Sequence, residues 1–147
     1  MIRGYFLTRG GRRRPFIDAA FQFPTISNFT FRVRLLVDTG ADRTTISPLD
    51  ASRLELEVRI NLAVLPRGVP SAGVGGQVGT RTTEAVLTLA TFSMPLTLTI
   101  LEPPPGSLPP IPSLLGRDIL SQFALFMEER TSRVLLLEPQ EADALPL

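Results

Sequence analysis

The chain has 147 residues, enough for one domain with a buried core, and its 44% hydrophobic and 20% charged residues are typical of a globular protein. It contains no cysteine and no histidine, which excludes disulfides, thiolate metal sites and catalytic triads with a histidine base. All 15 basic residues are arginines, so lysine-based chemistry is excluded as well, and a net charge of +1 gives no long-range reason to expect a nucleic-acid partner. Any hydrolytic chemistry must therefore come from carboxylates, hydroxyls, arginines or backbone groups.

The N-terminal residues 1–29 predict a β-hairpin. Apolar runs at 2–7 and 16–23 flank Gly10 and Gly11, and paired glycines are typical of tight turns. The arginines around this turn could attract phosphate groups, but we favour a solvated hairpin tip. No stretch reaches the ~18 apolar residues of a membrane helix. No apolar segment follows the arginines as it would in a signal peptide, so we expect a cytoplasmic protein.

Two local patterns surround the first functional motif. Apolar residues alternate between 29 and 37, a period of two that predicts a strand with one face in the core and Asp38 at its end. Ser47, Pro48 and Asp50 then predict the N-cap, the first residue and the acidic first turn of a short helix.

The remaining patterns predict mostly strands. We expect strands over 58–65, 82–89 and 94–101, with a glycine-rich loop over 66–79. Six prolines between 102 and 112 predict an irregular connection. A short helix over 117–123 and a closing hairpin from 125–127 and 133–137 should follow. The last residues, 138–147, are expected to form a loose tail. The sequence shows no internal repeat, and we expect 1–147 to fold as a single domain.

Three motifs, taken in their order along the chain, give the strongest functional signal. Asp-Thr-Gly-Ala-Asp at 38–42 follows the predicted strand, Gly-Val-Gly-Gly stands at 73–76, and Leu-Leu-Gly-Arg-Asp stands at 114–118. In this order they resemble the retropepsin family of one-domain aspartic proteases, over roughly residues 30–126. The resemblance implies an all-β, closed, barrel-like fold with one or two short helices. It also implies an aspartic endopeptidase that needs no cofactor and no metal.

The resemblance further implies a catalytic pair of carboxylates that two copies of the chain supply together. Aspartic proteases activate a water molecule between two carboxylates that share one proton, because like charges at that distance do not both ionise easily. The chain holds one Asp-Thr-Gly, so Asp38 must meet its twin from a second copy across a two-fold axis, and dimerisation becomes a condition of activity. Thr39 would bond to the other copy's backbone beneath the carboxylates, and Gly40 would permit close approach of substrate and partner.

Residues that support the catalytic loop are implied in the same way. Leu115 and Gly116 would lie beneath the loop, with Gly116 permitting a close crossing of two chain segments. Arg117 matches a family arginine that pairs with the acidic residue at the position of Asp42, which also helps to hold the substrate backbone. Asp118 departs from the viral pattern, in which asparagine is usual.

Substrate contacts complete the implied site. Ala41 would help to hold the substrate backbone from below. The glycine-rich segment would form the tip of a flap at Gly73, Val74 and Gly75, where the amide of Val74 binds a water molecule that bridges to the substrate. Gln77 stands where viral flaps often carry an aromatic residue. The expected partners are a second copy of the chain and a peptide or protein substrate, with no nucleic acid and no membrane.

Each motif also has a simpler interpretation. Asp-Thr-Gly alone is more often a strand-ending turn than a catalytic site, and an isolated Gly-x-Gly-Gly is usually a flexible loop. A phosphatase of the haloacid dehalogenase type needs a second aspartate two positions after the first, where Gly40 stands. Two other functions remain open: a catalytically silent dimerisation or peptide-binding module with the same fold, and an arginine-driven nucleic-acid binder.

Overall fold

The computed structural model of the chain describes residues 1–73, 76–104, 106 and 110–147. Its strands, in chain order, are β1 (Ile2–Arg3), β2 (Tyr5–Arg9), β3 (Arg12–Gln22), β4 (Phe31–Val37), β5 (Thr45–Ile46), β6 (Ser71–Gly73), β7 (Gly76–Val78), β8 (Thr80–Leu89), β9 (Phe92–Leu101), β10 (Ser113–Leu115), β11 (Ala124–Glu128) and β12 (Arg133–Leu137). The helical elements in these ranges are α1 (Pro48–Glu57), α2 (Arg117–Leu120), α3 (Pro139–Asp143) and a 3-10 turn (Leu62–Val64). In this part of the chain, no helix is long and apolar enough to span a membrane.

Six strands close into a barrel in the order β3, β4, β10, β5, β9 and β8, and β8 pairs back onto β3. The long strand β3 makes this closure possible because its first half pairs with β2 and its second half pairs with β8. A separate three-stranded sheet, in the order β1, β12, β11, joins the two ends of the chain. The all-β, barrel-like fold expected from the sequence is confirmed.

Strand β4 shows how the sequence pattern builds the core. Its alternate residues Phe31, Val33, Leu35 and Val37 are all buried, between 0 and 8% exposed. A strand places successive side chains on opposite faces, so the period of two read from the sequence becomes one face in the core. The predicted strand, and the helix that starts with Ser47 as N-cap, are confirmed.

The N-terminal hairpin of β2 and β3 is confirmed as well. Gly10 and Gly11 both have positive φ angles, 57° and 74°, which suits a turn of type I′ between paired strands. One arginine departs from the expected solvated tip. Arg13 donates to the backbone oxygen of Glu129 at 2.6 Å and lies over the ring of Phe6, 4.7 Å from its centre.

The strand predicted over 58–65 is wrong. Helix α1 continues to Glu57, and a 3-10 turn follows at Leu62–Val64, capped by the Asn61 side chain, which accepts from the amide of Ala63 at 3.0 Å. Arg59 has a φ of 59°, which no strand allows. Val58, Ile60, Leu62 and Leu65 are buried, but they reach the core from irregular backbone, and Val64 is 75% exposed.

The loose tail expected over 138–147 is also wrong for part of its length, because α3 forms there. Pro139 occupies the first turn of this helix, where its missing amide costs nothing. The Glu141 carboxylate accepts from the amide of Glu138 at 3.0 Å and pairs with the amino terminus of Met1 at 2.7 Å. The second of these contacts joins the chain ends, so no local pattern indicates it.

Candidate active site

Strand pairing brings two of the three motifs together. Strands β4 and β10 run parallel, with Val37 opposite Leu115, so the residues that follow both strands begin side by side. The amide of Asp38 donates to the carbonyl of Leu115 at 3.1 Å. The loop with Asp38 and the segment that starts at Gly116 therefore leave the barrel at the same point.

The Asp38 carboxylate is fixed by the turn that it begins. Its Oδ1 accepts from the amide of Gly40 at 2.9 Å, and its backbone carbonyl accepts from the amide of Ala41 at 3.2 Å. Asp38 and Ala41 are half-buried, whereas Thr39, Gly40 and Asp42 are exposed. The turn thus holds one carboxylate oxygen in place and leaves the three residues around it accessible to another molecule.

Gly116 marks a tight crossing beneath this loop. A Cβ atom on Gly116 would lie 2.4 Å from the carbonyl carbon of Arg43 and 2.6 Å from its oxygen, distances that real Cβ atoms do not tolerate. Two backbone bonds hold the crossing: the amide of Arg117 donates to the Ala41 carbonyl at 2.8 Å, and the amide of Asp118 donates to the Asp42 carbonyl at 3.1 Å. Only glycine leaves room for this arrangement.

Asp118 and Thr44 form the polar support of the loop. Thr44 is fully buried, and its amide and its hydroxyl both donate to the Asp118 carboxylate, at 3.0 Å to Oδ2 and at 2.8 Å to Oδ1. The Thr44 hydroxyl oxygen accepts from the amide of Gly116 at 3.2 Å, and Asp118 also accepts from the amide of Ile119 at 2.9 Å. Asp118 therefore ties the loop to the start of α2, a role that the sequence left open.

Sequence reasoning missed Thr44. It is separated from Asp118 by 74 positions, and nothing local distinguishes it from its neighbour Thr45. The usable signal would have been Asp118 itself, since a partly buried carboxylate next to a helix start must find donors elsewhere.

The side-chain pair expected between Arg117 and Asp42 does not form. Both residues are exposed, and within the described ranges neither takes part in an ion pair. An ion pair between exposed side chains contributes only ~0–1 kcal/mol, so little favours it in water. Arg117 supports the loop through its backbone amide instead.

The glycine-rich segment is a hairpin of β6 and β7, in which Gly73 lies opposite Gly76. Val74 and Gly75, the predicted flap tip, lie outside the described residues. Gln77 is exposed. That this hairpin acts as a flap, and its substrate contacts, remain predictions.

Arg81 anchors the base of this hairpin, which the sequence did not indicate. It forms an ion pair with Glu102 and donates to the carbonyl oxygens of Ala63 at 3.2 Å and Leu65 at 2.9 Å. The Thr80 hydroxyl adds a bond to the Val69 carbonyl at 2.8 Å. The segment that leads into the hairpin is therefore fixed along β8.

The described residues hold no group of three carboxylates that could bind a metal ion. Around Asp38 the structure provides one fixed carboxylate with exposed Thr39 and Gly40 beside it, supported from within the chain by buried Thr44 and half-buried Asp118.

No family model matches the chain, and no curated protein matches its sequence. Among solved structures, it is similar to a retropepsin-like aspartic protease from Rickettsia conorii, with a TM-score of 0.61 and 18% identity over 90% of this chain and 96% of that one. It is also similar to EIAV protease, solved in complex with the inhibitor HBY-793, with a TM-score of 0.53 and 23% identity over 78% of this chain and 92% of that one. Together with the closed six-stranded barrel, these similarities show that the chain has the retropepsin-like fold.

Proposed function

We propose that the chain is an aspartic endopeptidase that acts as a homodimer, with Asp38 of each copy supplying one carboxylate. The observation that carries this proposal is the Asp38 turn. The carboxylate stands half-exposed at the end of β4, fixed by the amide of Gly40, in a protein with the retropepsin-like fold. Thr39 and Gly40 are exposed beside it, where a second copy would meet them.

The mechanism follows from two such carboxylates around one water molecule. One, ionised, accepts a proton from the water as it attacks the peptide carbonyl, and the other, protonated, donates to the carbonyl oxygen. The two share one proton, because two like charges that close do not ionise together. A single chain offers one of the two carboxylates, so the active unit must be the dimer.

The other site residues have positioning or binding roles in this proposal. Thr39 would bond across the dimer, and Gly40 would keep the approach to the carboxylates open. Ala41 and Asp42 would hold the substrate backbone from below. Leu115, Gly116 and Arg117 support the loop through the contacts described above, and residues 73–75 would close over the substrate from the flap.

The decisive experiment compares Asp38→Asn with Asp143→Asn, an exposed aspartate at the end of α3 that undergoes the same chemical change. A peptide library is incubated with wild type and both variants, with melting temperature and oligomeric state measured on the same samples. We expect Asp38→Asn to lose all cleavage while remaining folded and dimeric, and Asp143→Asn to cleave as wild type does. Cleavage by a pure Asp38→Asn preparation would overturn the proposal.

A mixing experiment tests the shared site directly. Wild type and Asp38→Asn are mixed in equal amounts and allowed to exchange subunits. If each copy supplies one carboxylate, only wild-type pairs are active, and activity falls to about a quarter of that of the same total amount of wild type. A value of about a half would show that each chain works alone. A folded dimer that binds peptides but cleaves none would favour the catalytically silent module.

A further inference from the structure

The outer face of β2, β3 and β4 concentrates the positive charge of the chain. Arg12 and Arg14 alternate on β3, and the register places Arg9 opposite Arg12. On β4, Arg32 and Arg34 lie opposite residues 20 and 18 of β3, so they share the face of Arg12 and Arg14. Local sequence shows three of these arginines at a turn, and strand pairing adds the other two.

These side chains line a groove of about 1080 Å³ that α1 borders with Arg53. We call it the arginine groove, defined by Arg9, Arg12, Arg14, Arg32, Arg34 and Arg53. None of residues 38–46 lines it, so it is separate from the loop that carries Asp38.

The groove carries far more charge than the chain as a whole. Its six arginines face two aspartates, Asp18 and Asp50, a formal charge of +4, while the whole chain carries +1 and its remainder therefore −3. Within the described ranges, Arg9, Arg12, Arg14 and Arg32 form no ion pair, whereas Arg53 pairs with Asp50 and with Glu57 at the end of α1. This excess of unpaired guanidinium groups favours an anionic ligand.

The two aspartates are already satisfied inside the chain. Asp50 accepts from Arg53 at 2.9 Å and from the Ser113 hydroxyl at 2.6 Å. Asp18 accepts from the hydroxyl of Tyr5. Burial, and then the Asp18 carboxylate, raise the pKa of Tyr5, so its hydroxyl keeps the proton that it donates to Asp18.

We propose that the arginine groove binds an extended acidic peptide segment of a partner protein. Guanidinium forks pair with carboxylates through two parallel hydrogen bonds, and the alternating spacing of arginines on β3 and β4 matches alternate side chains of an extended peptide. Two exposed apolar residues at the groove, Leu49 at 46% and Ile111 at 45%, offer contacts to apolar side chains between the acidic ones. This proposal does not depend on the protease activity.

Three features favour a peptide over a nucleic acid. The apolar side chains of Leu49 and Ile111 have no donor or positive charge with which to bind a phosphodiester backbone. Phe16, the aromatic residue that lines the groove, is only 4% exposed, so no base can stack on it. The net negative charge outside the groove repels a polyanion that extends beyond it.

The test measures binding of a fluorescein-labelled peptide that alternates Glu with Leu and Ala, in the Asp38→Asn background so that the probe is not cleaved. The groove variant is Arg12→Gln, Arg14→Gln and Arg32→Gln together. The matched control is Arg3→Gln, Arg67→Gln and Arg130→Gln, which removes the same number of positive charges outside the groove. A peptide with Gln in place of Glu and a single-stranded oligonucleotide are measured alongside.

We expect the groove variant to bind the Glu peptide about tenfold more weakly, and the protein with an intact groove to bind the Gln peptide about tenfold more weakly than the Glu peptide. The control variant should change the affinity for the Glu peptide by less than about twofold. Added salt should weaken the binding of the Glu peptide to the intact groove. Equal losses in both triple variants, or no binding of the Glu peptide, would overturn the proposal. So would an oligonucleotide that binds as tightly as the Glu peptide and is lost with the groove variant. If the groove variant fails to melt cooperatively, Arg14→Gln and Arg32→Gln are measured singly, each with an expected loss of about threefold.

Discussion

In the loop after β4, buried polar groups are bonded within the chain, whereas on the β2–β3 hairpin Arg9 and Arg12 are exposed and form no ion pair with any described residue. Thr44 is fully buried and directs both its amide and its hydroxyl to Asp118. Arg12, on the hairpin, is exposed and has no ion-pair partner in the described part of the chain. The first region gains a fixed geometry from its polar groups, and the second keeps its charges available to a ligand.

The glycines of the two regions differ in the same way. Gly10 and Gly11 adopt positive φ angles with open space around them, so the turn needs their backbone freedom. Gly116 has an ordinary φ of −93° but no room for a Cβ atom. In the hairpin the substitution of glycine would cost strain, and beneath the Asp38 loop it would force two backbones apart.

The largest expected effect is therefore that of Gly116→Ala. The added methyl would overlap the backbone of Arg43, which cannot rotate away, and we expect the free energy of unfolding to fall by about 3 kcal/mol or more. Gly10→Ala is the matched control, with an expected loss of about 1 kcal/mol from its positive φ alone. Urea denaturation of both variants measures the difference. A loss at Gly116 no greater than that at Gly10 would show that the crossing can relax.

The second prediction concerns Asp118. Replacement by Ala leaves the buried amide and hydroxyl of Thr44 without their acceptor, and we expect a loss of about 2–3 kcal/mol in unfolding free energy. Asp118→Asn keeps an acceptor at the Oδ1 position, to which the Thr44 hydroxyl and the Ile119 amide donate, so its loss should be about 1 kcal/mol. Chemical denaturation of the two variants shows whether the loop depends on the acceptor position or on the negative charge of Asp118. If Asn is as damaging as Ala, the negative charge rather than the acceptor position stabilises the loop.

Local signals in the sequence predicted the local structure. The alternation along β4, the N-cap at Ser47 and the turn at Gly10 and Gly11 each depend on a few neighbouring residues, and all three are confirmed. The strand expected over 58–65 failed because apolar spacing alone does not distinguish a paired strand from irregular backbone that buries most of the same side chains.

Features that depend on distant contacts could not be predicted. The bond between Thr44 and Asp118 joins residues 74 positions apart, and helix α3 is held in part by the amino terminus. The arginine groove requires the register between β3 and β4, which a single sequence does not give. The Asp38 and Gly116 motifs were an exception, because the resemblance to retropepsins supplied in advance the juxtaposition that parallel pairing of β4 and β10 produces.

The smallest expected effect separates two arginines within the hairpin itself. Arg13 donates to the Glu129 carbonyl at 2.6 Å and to the Ser132 hydroxyl, and it stacks on Phe6, so it ties the hairpin to the turn between β11 and β12. We expect Arg13→Ala to lower the unfolding free energy by about 1 kcal/mol and Arg12→Ala to change it by less than about 0.5 kcal/mol.

Salt dependence tells whether Arg13 acts through these contacts or through its charge alone. Its acceptors are an uncharged carbonyl and an uncharged hydroxyl at short range, so about 0.5 M salt should leave most of the difference between Arg13→Ala and Arg12→Ala in place. Arg13→Lys keeps the charge but loses the two-pronged donor and should fall between the two Ala results. Urea midpoints at low and high salt provide the measurement. Equal midpoints for Arg13→Ala and Arg12→Ala, or a difference that vanishes in salt, would contradict this role. Arg13 would then behave as a solvated arginine of the hairpin tip, as the sequence predicted.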